Sequence, residues 1–333
     1  MVNPQRLALL MLLVALATLP YWIARIGLYQ YLGIEILVWG LYALSYNLLL
    51  GYTGLPSFGH GAYFGIGAYA FGLIQKHVGM NLWLDLAGAM VVAALAGGIV
   101  AAFISHRRGI YYALMTIAFC QIFWFVAVKW HSVTGGEDGL LNLKRTPAEL
   151  GFVSISLTDN VALYYLVLVL CIVVTLLLWR IVHSPFGRVI QAIRQNETRV
   201  AYVGYNVWLY KWLVFVISAS LSGLAGALFA LAQLGAFPDV MSLHSSGFVV
   251  MMTLIGGGLV SFWGPLIGAV IFFVARDALG ALTSTWSLWY GLMFMIIIVV
   301  KPEGIAGMWQ SAQARRHARK AGDVPVAASM AKR

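Results

Sequence analysis

Charge is scarce in this chain. Only 10% of its 333 residues are Asp, Glu, Lys or Arg, where soluble domains carry about 25%, and that shortage excludes a water-exposed fold for most of the polypeptide. Cysteine is nearly absent: Cys120 and Cys171 are its two thiols, and both fall inside apolar runs. A thiol there behaves as a small hydrophobe, so a disulfide framework and a Cys-ligated metal site are not expected. No Gly-x-x-x-x-Gly-Lys-Ser/Thr run occurs, which leaves the chain without a P-loop to cradle ATP phosphates. His-Glu-x-x-His and Gly-x-Ser-x-Gly are missing too, and the 7 His and 11 acidic residues are scattered, so the chain is read as no enzyme, with no catalytic residue, metal or cofactor of its own.

Abundant instead are apolar residues, 62% of the chain, in long runs separated by brief polar interruptions. The segment from Val161 to Val182 is the cleanest, with its single charge, Arg180, near one end. Lipid cannot satisfy open backbone amides and carbonyls, so such a run crosses as a helix with an internal hydrogen-bond ladder. Continuous rather than alternating apolarity excludes a β-barrel. Ten candidate segments follow: Leu7–Leu28, Ile34–Leu50, Gly61–Ile74, Trp83–Ile104, Tyr111–Val128, Val161–Val182, Trp212–Leu234, Phe248–Leu259, Leu266–Leu282 and Thr285–Val300. Several fall short of the roughly 20 residues a full crossing needs, which points to broken or re-entrant helices. The first of them, after Arg6, resembles a signal peptide with small residues at Ala15 and Ala17, but Pro20 to Leu28 stay largely apolar, and a retained first helix is expected. The fold class is therefore an all-α polytopic membrane protein with about ten transmembrane or half-membrane helices and Gly-rich breaks.

Lys and Arg accumulate in cytoplasmic loops. Ten crossings that begin inside put most of the 21 basic residues in the cytoplasm, among them Arg107, Arg108, Arg188, Arg194, Arg199 and Lys211. Glu35, Asp85, Glu137, Asp138, Glu149, Asp159 and Asp239 fall outside, so both termini are expected to be cytoplasmic. The net charge of +10 then reports topology, with some attraction to anionic lipid, and argues for no nucleic acid. One membrane domain is expected over residues 1–308, with a cytoplasmic loop at 183–211, an outer loop at 131–160, and a basic cytoplasmic tail at 309–333.

Three stretches stand out. The first, Gly51-Tyr52-Thr53-Gly54-Leu55-Pro56-Ser57-Phe58-Gly59-His60-Gly61, carries helix breakers at membrane depth, where irregular backbone survives only against protein or a water-filled cavity. Released main-chain groups and the Thr53 and Ser57 hydroxyls suit a polar solute, and paired broken segments are pointers to transport sites. For Gly61, Gly65 and Gly67 close helix packing is the favoured reading; for Gly51 to Gly59, a cavity. The second is Gly256-Gly257-Gly258 with Gly264-Pro265, where a tight turn and a pathway role fit equally. The third is the polar run His183 to Lys211: Pro185 and Gly187 supply a turn, and from Arg188 the residues Val189, Ile193, Val200 and Val203 suggest an amphipathic helix outside the membrane. Such a helix suits a partner groove, the membrane surface, or a plain connector.

The runs GYTGLPSFGHGAYFGIGAYA, TGGEDGLL at Thr134–Leu141, and SPFGRVIQAIRQNETRVAYVGY followed by SASLSGLAGAL together resemble the branched-chain amino-acid ABC permease family, in its LivM-type branch, from about residue 33 to Met308. The resemblance implies an importer in the bacterial inner membrane, built from two homologous permease subunits, two cytoplasmic ATPases that hydrolyse ATP, and an extracytoplasmic solute-binding protein. It implies that Gly51 to His60 face the translocation path and that the 131–160 loop receives the binding protein. The stretch around Glu197, Ala201 and Gly204 is similar to the E-A-A and downstream-Gly motif that docks in an ATPase groove, so Gly187, Arg188, Arg194, Glu197, Arg199, Ala201 and Gly204 are expected at the coupling surface. Thr198 and Arg199 after Glu197 depart from that motif. Two other classes compete: a secondary transporter, for which His60, Arg276 and Asp277 are the available relay residues, and a membrane-embedded enzyme.

Overall fold

Five helices in the computed structural model begin at a side-chain cap that the sequence supplies. Asn81, Asp159, Ser184, Asn206 and Ser242 each accept a hydrogen bond from a backbone amide of the turn that follows, satisfying a donor the helix itself leaves open. The structure describes residues 16, 18–21, 29, 31–79, 81–150, 153–257, 259, 261–300 and 304.

The elements, in chain order, are α1 (Tyr31–Asn47, continued by a π-turn at Leu48–Tyr52), α2 (Gly61–His77), α3 (Leu82–Ile104), α4 (Gly109–Lys129), a two-stranded antiparallel hairpin of β1 (Ala148–Leu150) and β2 (Val153–Ile155), α5 (Asn160–His183), α6 (Pro185–Tyr202), α7 (Val207–Gln233), α8 (Leu243–Gly256), α9 (Gly264–Leu282) and α10 (Trp286–Val300). All but the first of the ten apolar segments read from the sequence coincide with one of these helices; Leu7–Leu28 and the 309–333 tail lie mostly or wholly outside the described residues. Among the described residues six spans are long and apolar enough to cross a membrane, with α8 and α10 shorter apolar helices. The hairpin is the departure from an all-helical reading.

Burial sorts the spans. The apolar window of α1 is 89% buried and that of α7 is 78%, against 28% for α4 and for α9. Two central helices therefore stand inside a ring whose outer faces, carrying Leu95, Phe103, Phe125, Leu176 and Met295, stay exposed as lipid-facing surface requires. Glycine sets the spacing of the centre. A side chain on Gly67 would meet the backbone of Gly223, and one on Gly226 the carbonyl of Phe64, so α2 and α7 touch main chain to main chain, the small-residue contact of membrane helices.

The two ends of the bundle differ. At one end α1, α3, α5 and α8 finish and α4, α7 and α9 begin, and α6 packs there on α5, α7 and the π-turn after α1. At the other, the 131–160 segment is tied down: Gln75 exchanges hydrogen bonds with the Lys144 backbone at 2.7 and 3.0 Å, Trp83 donates to the Glu149 carbonyl at 2.9 Å, and Arg145 reaches Asn160 at 2.9 Å and the Ala232 carbonyl at 3.3 Å. Arg276 is engaged in ion pairs. It grips both oxygens of Glu35 at 2.9 Å and lies 3.3 Å from Asp277, pinning α9 to α1.

Candidate functional site

The first break begins as a fault in α1. Leu48–Tyr52 form a π-turn, a widening often found at functional positions. Thr53 donates its hydroxyl to the Leu48 carbonyl at 2.9 Å, and the Leu55 amide reaches back to the Leu49 carbonyl at 3.0 Å. Gly54 takes φ +73° and faces out, a left-handed conformation that glycine adopts without steric cost. The chain then climbs into the bundle. Pro56 is half-buried, Ser57 is buried with its hydroxyl unpartnered among the described residues, and the Phe58 amide donates to Thr116 at 3.1 Å. Gly59 lies against the Thr116 carbonyl, where any side chain would collide.

His60 sits deep in the protein. Its Nε2 is 2.9 Å from the Ser218 hydroxyl, which donates to the Ser45 carbonyl at 2.8 Å; Ser45 in turn contacts Ser222 at 2.9 Å. Tyr42, Tyr46, Tyr63 and Phe215 surround the ring at 5.3 to 6.2 Å. From there α2 starts, its Gly61 amide held by Ser246 of α8 at 3.0 Å. The break is thus threaded between α4, α7 and α8, with Gly54 and Phe58 its exposed members and Tyr52 half-buried beside Phe262.

In the second break Gly256 faces the Gly264 carbonyl so closely that no side chain fits, and Gly257 closes α8 at φ +92°, its carbonyl accepting from the Ser261 amide at 2.8 Å. Gly258 lies outside the described residues.

Below both breaks runs α6. Ser184 caps it, Pro185 occupies its first turn, and Gly187 packs on the carbonyl of Val182, making the elbow with α5 tight. The helix is two pieces joined at Asn196, whose backbone leaves the helical region (φ −160°, ψ 97°) and whose side chain accepts from the Arg199 amide at 2.9 Å, capping the second piece. Ile193, Val200 and Val207 close a small apolar cluster that folds α6 back on the start of α7. Glu197 is paired inside the protein: Arg108 lies 2.7 Å from one oxygen and the fully buried Lys211 lies 3.3 Å from the other, with Lys211 also donating to the Arg107 carbonyl at 2.8 Å. Arg188, Arg199, Ala201 and Gly204 are exposed. So are Tyr202 at 88%, Val203 at 72% and Tyr205 at 45%, an apolar tip standing clear of the bundle.

Arg194, exposed like the other two α6 arginines, alone lays its guanidinium against the bundle. Its Nη1 donates to the Gly51 carbonyl of the first break and, at 2.8 Å, to the Leu259 carbonyl of the second. The three stretches singled out in the sequence therefore meet at one side chain. Sequence reasoning missed Thr116, Lys211 and Glu35, which acquire roles only through partners far away along the chain; the basic and apolar pattern of 183–211 gave no sign of which arginine turns in.

A bundle of membrane-length helices with two glycine breaks, gathered over a surface helix with an exposed apolar tip, defines a polytopic membrane transport protein. The family model described as the branched-chain amino acid transport system permease component matches residues 29–301. The chain belongs to that family. It is 28% identical over 323 residues to the high-affinity branched-chain amino acid transport system permease protein LivM of Escherichia coli K12, covering 91% of this chain and 75% of the relative. Identity to the probable branched-chain amino acid transport permease protein LivM of Methanocaldococcus jannaschii is 25%, over 81% of this chain and 92% of that protein. The LivH permease protein of E. coli K12 is also similar, at 26% identity over 81% of this chain and 91% of its own length. No solved structure gives a significant match. The chain is a multi-pass inner-membrane permease of an ABC importer, not an enzyme.

Proposed function

We propose that this permease moves branched-chain amino acids, or closely related small amino acids and amides, into the cell along a path beside the two helix breaks. In this reading it pairs with a second homologous permease. Two ATPase subunits supply the ATP chemistry from the cytoplasmic side, where α6 and both termini lie, and a solute-binding protein docks on the 131–160 face. Substrate selectivity rests largely with that binding protein.

The observation that carries the reading is the tip of α6. Two tyrosines and a valine stand exposed around Gly204, which takes φ +97° with open space where a side chain would be. Large apolar residues outside the spans are unfavourable in water, and aromatic anchors of this kind insert into partner grooves. The Glu197 ion pairs and the Ile193–Val200–Val207 cluster brace the tip, so a push on it is delivered to α7 and to the α3–α4 turn. Closure of the ATPase pair then tilts these helices and exchanges the side on which the path is open.

Val203→Asp tests this, since it places a charge at the tip without touching any described packing. The expected result is normal membrane insertion with loss of co-purifying ATPase and of uptake. Unchanged ATPase recovery and unchanged uptake would rule the docking site out.

A further inference from the structure

We propose that Arg194 is the positioning residue that carries movement of α6 into both helix breaks at once. The inference rests on the coupling assignment above and adds the route by which it acts.

The Gly51 carbonyl is left without a main-chain partner by the sequence itself. An α-type bond would come from Leu55, whose amide is given to Leu49, and a π-type bond would come from residue 56, which is proline and has no N–H. A carbonyl stranded at a helix end is costly to bury unpaired. It also carries the negative pole of that helix. The chain leaving α8 presents the Leu259 carbonyl beside it, and one guanidinium nitrogen of Arg194 reaches both. Arginine suits the place: it stays charged, offers several donors in a rigid plane, and makes charge-assisted bonds stronger than neutral ones.

Gly54 gives the arginine its passage. A Cβ there would stand 2.9 Å from Arg194 Cγ, so the glycine that turns the first break also clears the route for the side chain. All three arginines of α6 are exposed, but Arg188 and Arg199 make no side-chain hydrogen bond or ion pair among the described residues. Arg194 adjoins Ile193, which is locked in the cluster under α7, so displacement of α6 moves its base as well as its head. One side chain thereby makes the end of α1 and the end of α8 respond together, which opening a path between them requires.

The test compares uptake with ATP hydrolysis in the complete importer, reconstituted with its ATPases and binding protein. In Arg194→Gln, the uptake-to-hydrolysis ratio is expected to fall at least about tenfold, with ATPase recovery held within about twofold, as when a coupling contact between two sites is lost. Arg194→Lys is expected to restore part of the ratio, and Gln195→Ala, at the exposed neighbouring position, to leave it unchanged. A normal ratio in Arg194→Gln overturns the proposal, and so does loss of ATPase binding in that variant, which would place Arg194 on the docking surface instead. If Arg194→Gln does not accumulate, Gly54→Ala decides: crowding the arginine is expected to lower the ratio, and an unchanged ratio overturns the role. Failure of the tip itself to bind ATPase shows up separately, in the Val203→Asp experiment.

Discussion

At single residues, glycine has two separable uses here. Gly59, Gly67, Gly226 and Gly256 sit where a side chain would strike a neighbouring backbone, while Gly54 matters for its turn and for the room it leaves Arg194. Replacing Gly59 by valine drives the new side chain into the Thr116 carbonyl, and we expect a cost of about 3 kcal/mol, the upper range for overpacking. Thermal unfolding of the purified permease in detergent checks this, with Gly280→Ala as comparison because nothing lies within 4 Å of its would-be side chain. A Gly59→Val permease as stable as wild type would mean that the first break is loosely packed. The sequence marked Gly51–Gly61 as irregular at membrane depth, which is a local property of breakers in an apolar run. The packing reading of Gly61, Gly65 and Gly67 holds, Gly67 lying against α7, but Gly59, grouped with the cavity, packs as tightly, because its partner Thr116 is far away in sequence on α4.

At the level of elements, α6 was the most legible feature between the apolar spans. Ser184 and Pro185 announce its start, and the apolar spacing Val189, Ile193 and Val200 announces its buried side, while Val203 in the same run stands exposed. The kink was not read, although its signal was present: Asn196 is a capping residue inside a helical run, and its amide partner, Arg199, comes three residues later. Removing that cap with Asn196→Ala is expected to cost the second piece about 1 kcal/mol. Amide exchange over residues 198–202 should then quicken about fivefold while the 186–194 piece is unaffected. Equal protection of both pieces in the variant would show that the cluster around Val200, not the cap, holds the tip. The end of the element was misplaced for a related reason. Lys211 reads as a loop residue by its charge, yet it is buried in α7 because Glu197 and the Arg107 carbonyl satisfy it.

Across the whole molecule, the spans were readable because a crossing helix is written in consecutive residues, and the six long ones match the apolar runs within a few residues. Pairings between distant spans were not. The Arg276–Glu35 pair joins residues 241 positions apart, and from sequence alone Arg276 is indistinguishable from an arginine reaching for the interface. The 148–155 hairpin escaped notice because its strands are three residues each, below the length at which alternation can be seen. What unites the molecule is an arrangement by ends: the 131–160 segment is laced down at one, and α6, both breaks and Arg194 gather at the other. The account stands on that second end facing the cytoplasm. The most direct measurement is labelling of a Val203→Cys permease with a membrane-impermeant maleimide, Cys120 and Cys171 being buried. The account predicts no labelling in intact cells, and labelling in inverted vesicles that bound ATPase subunits block; labelling of residue 203 from outside intact cells would contradict it.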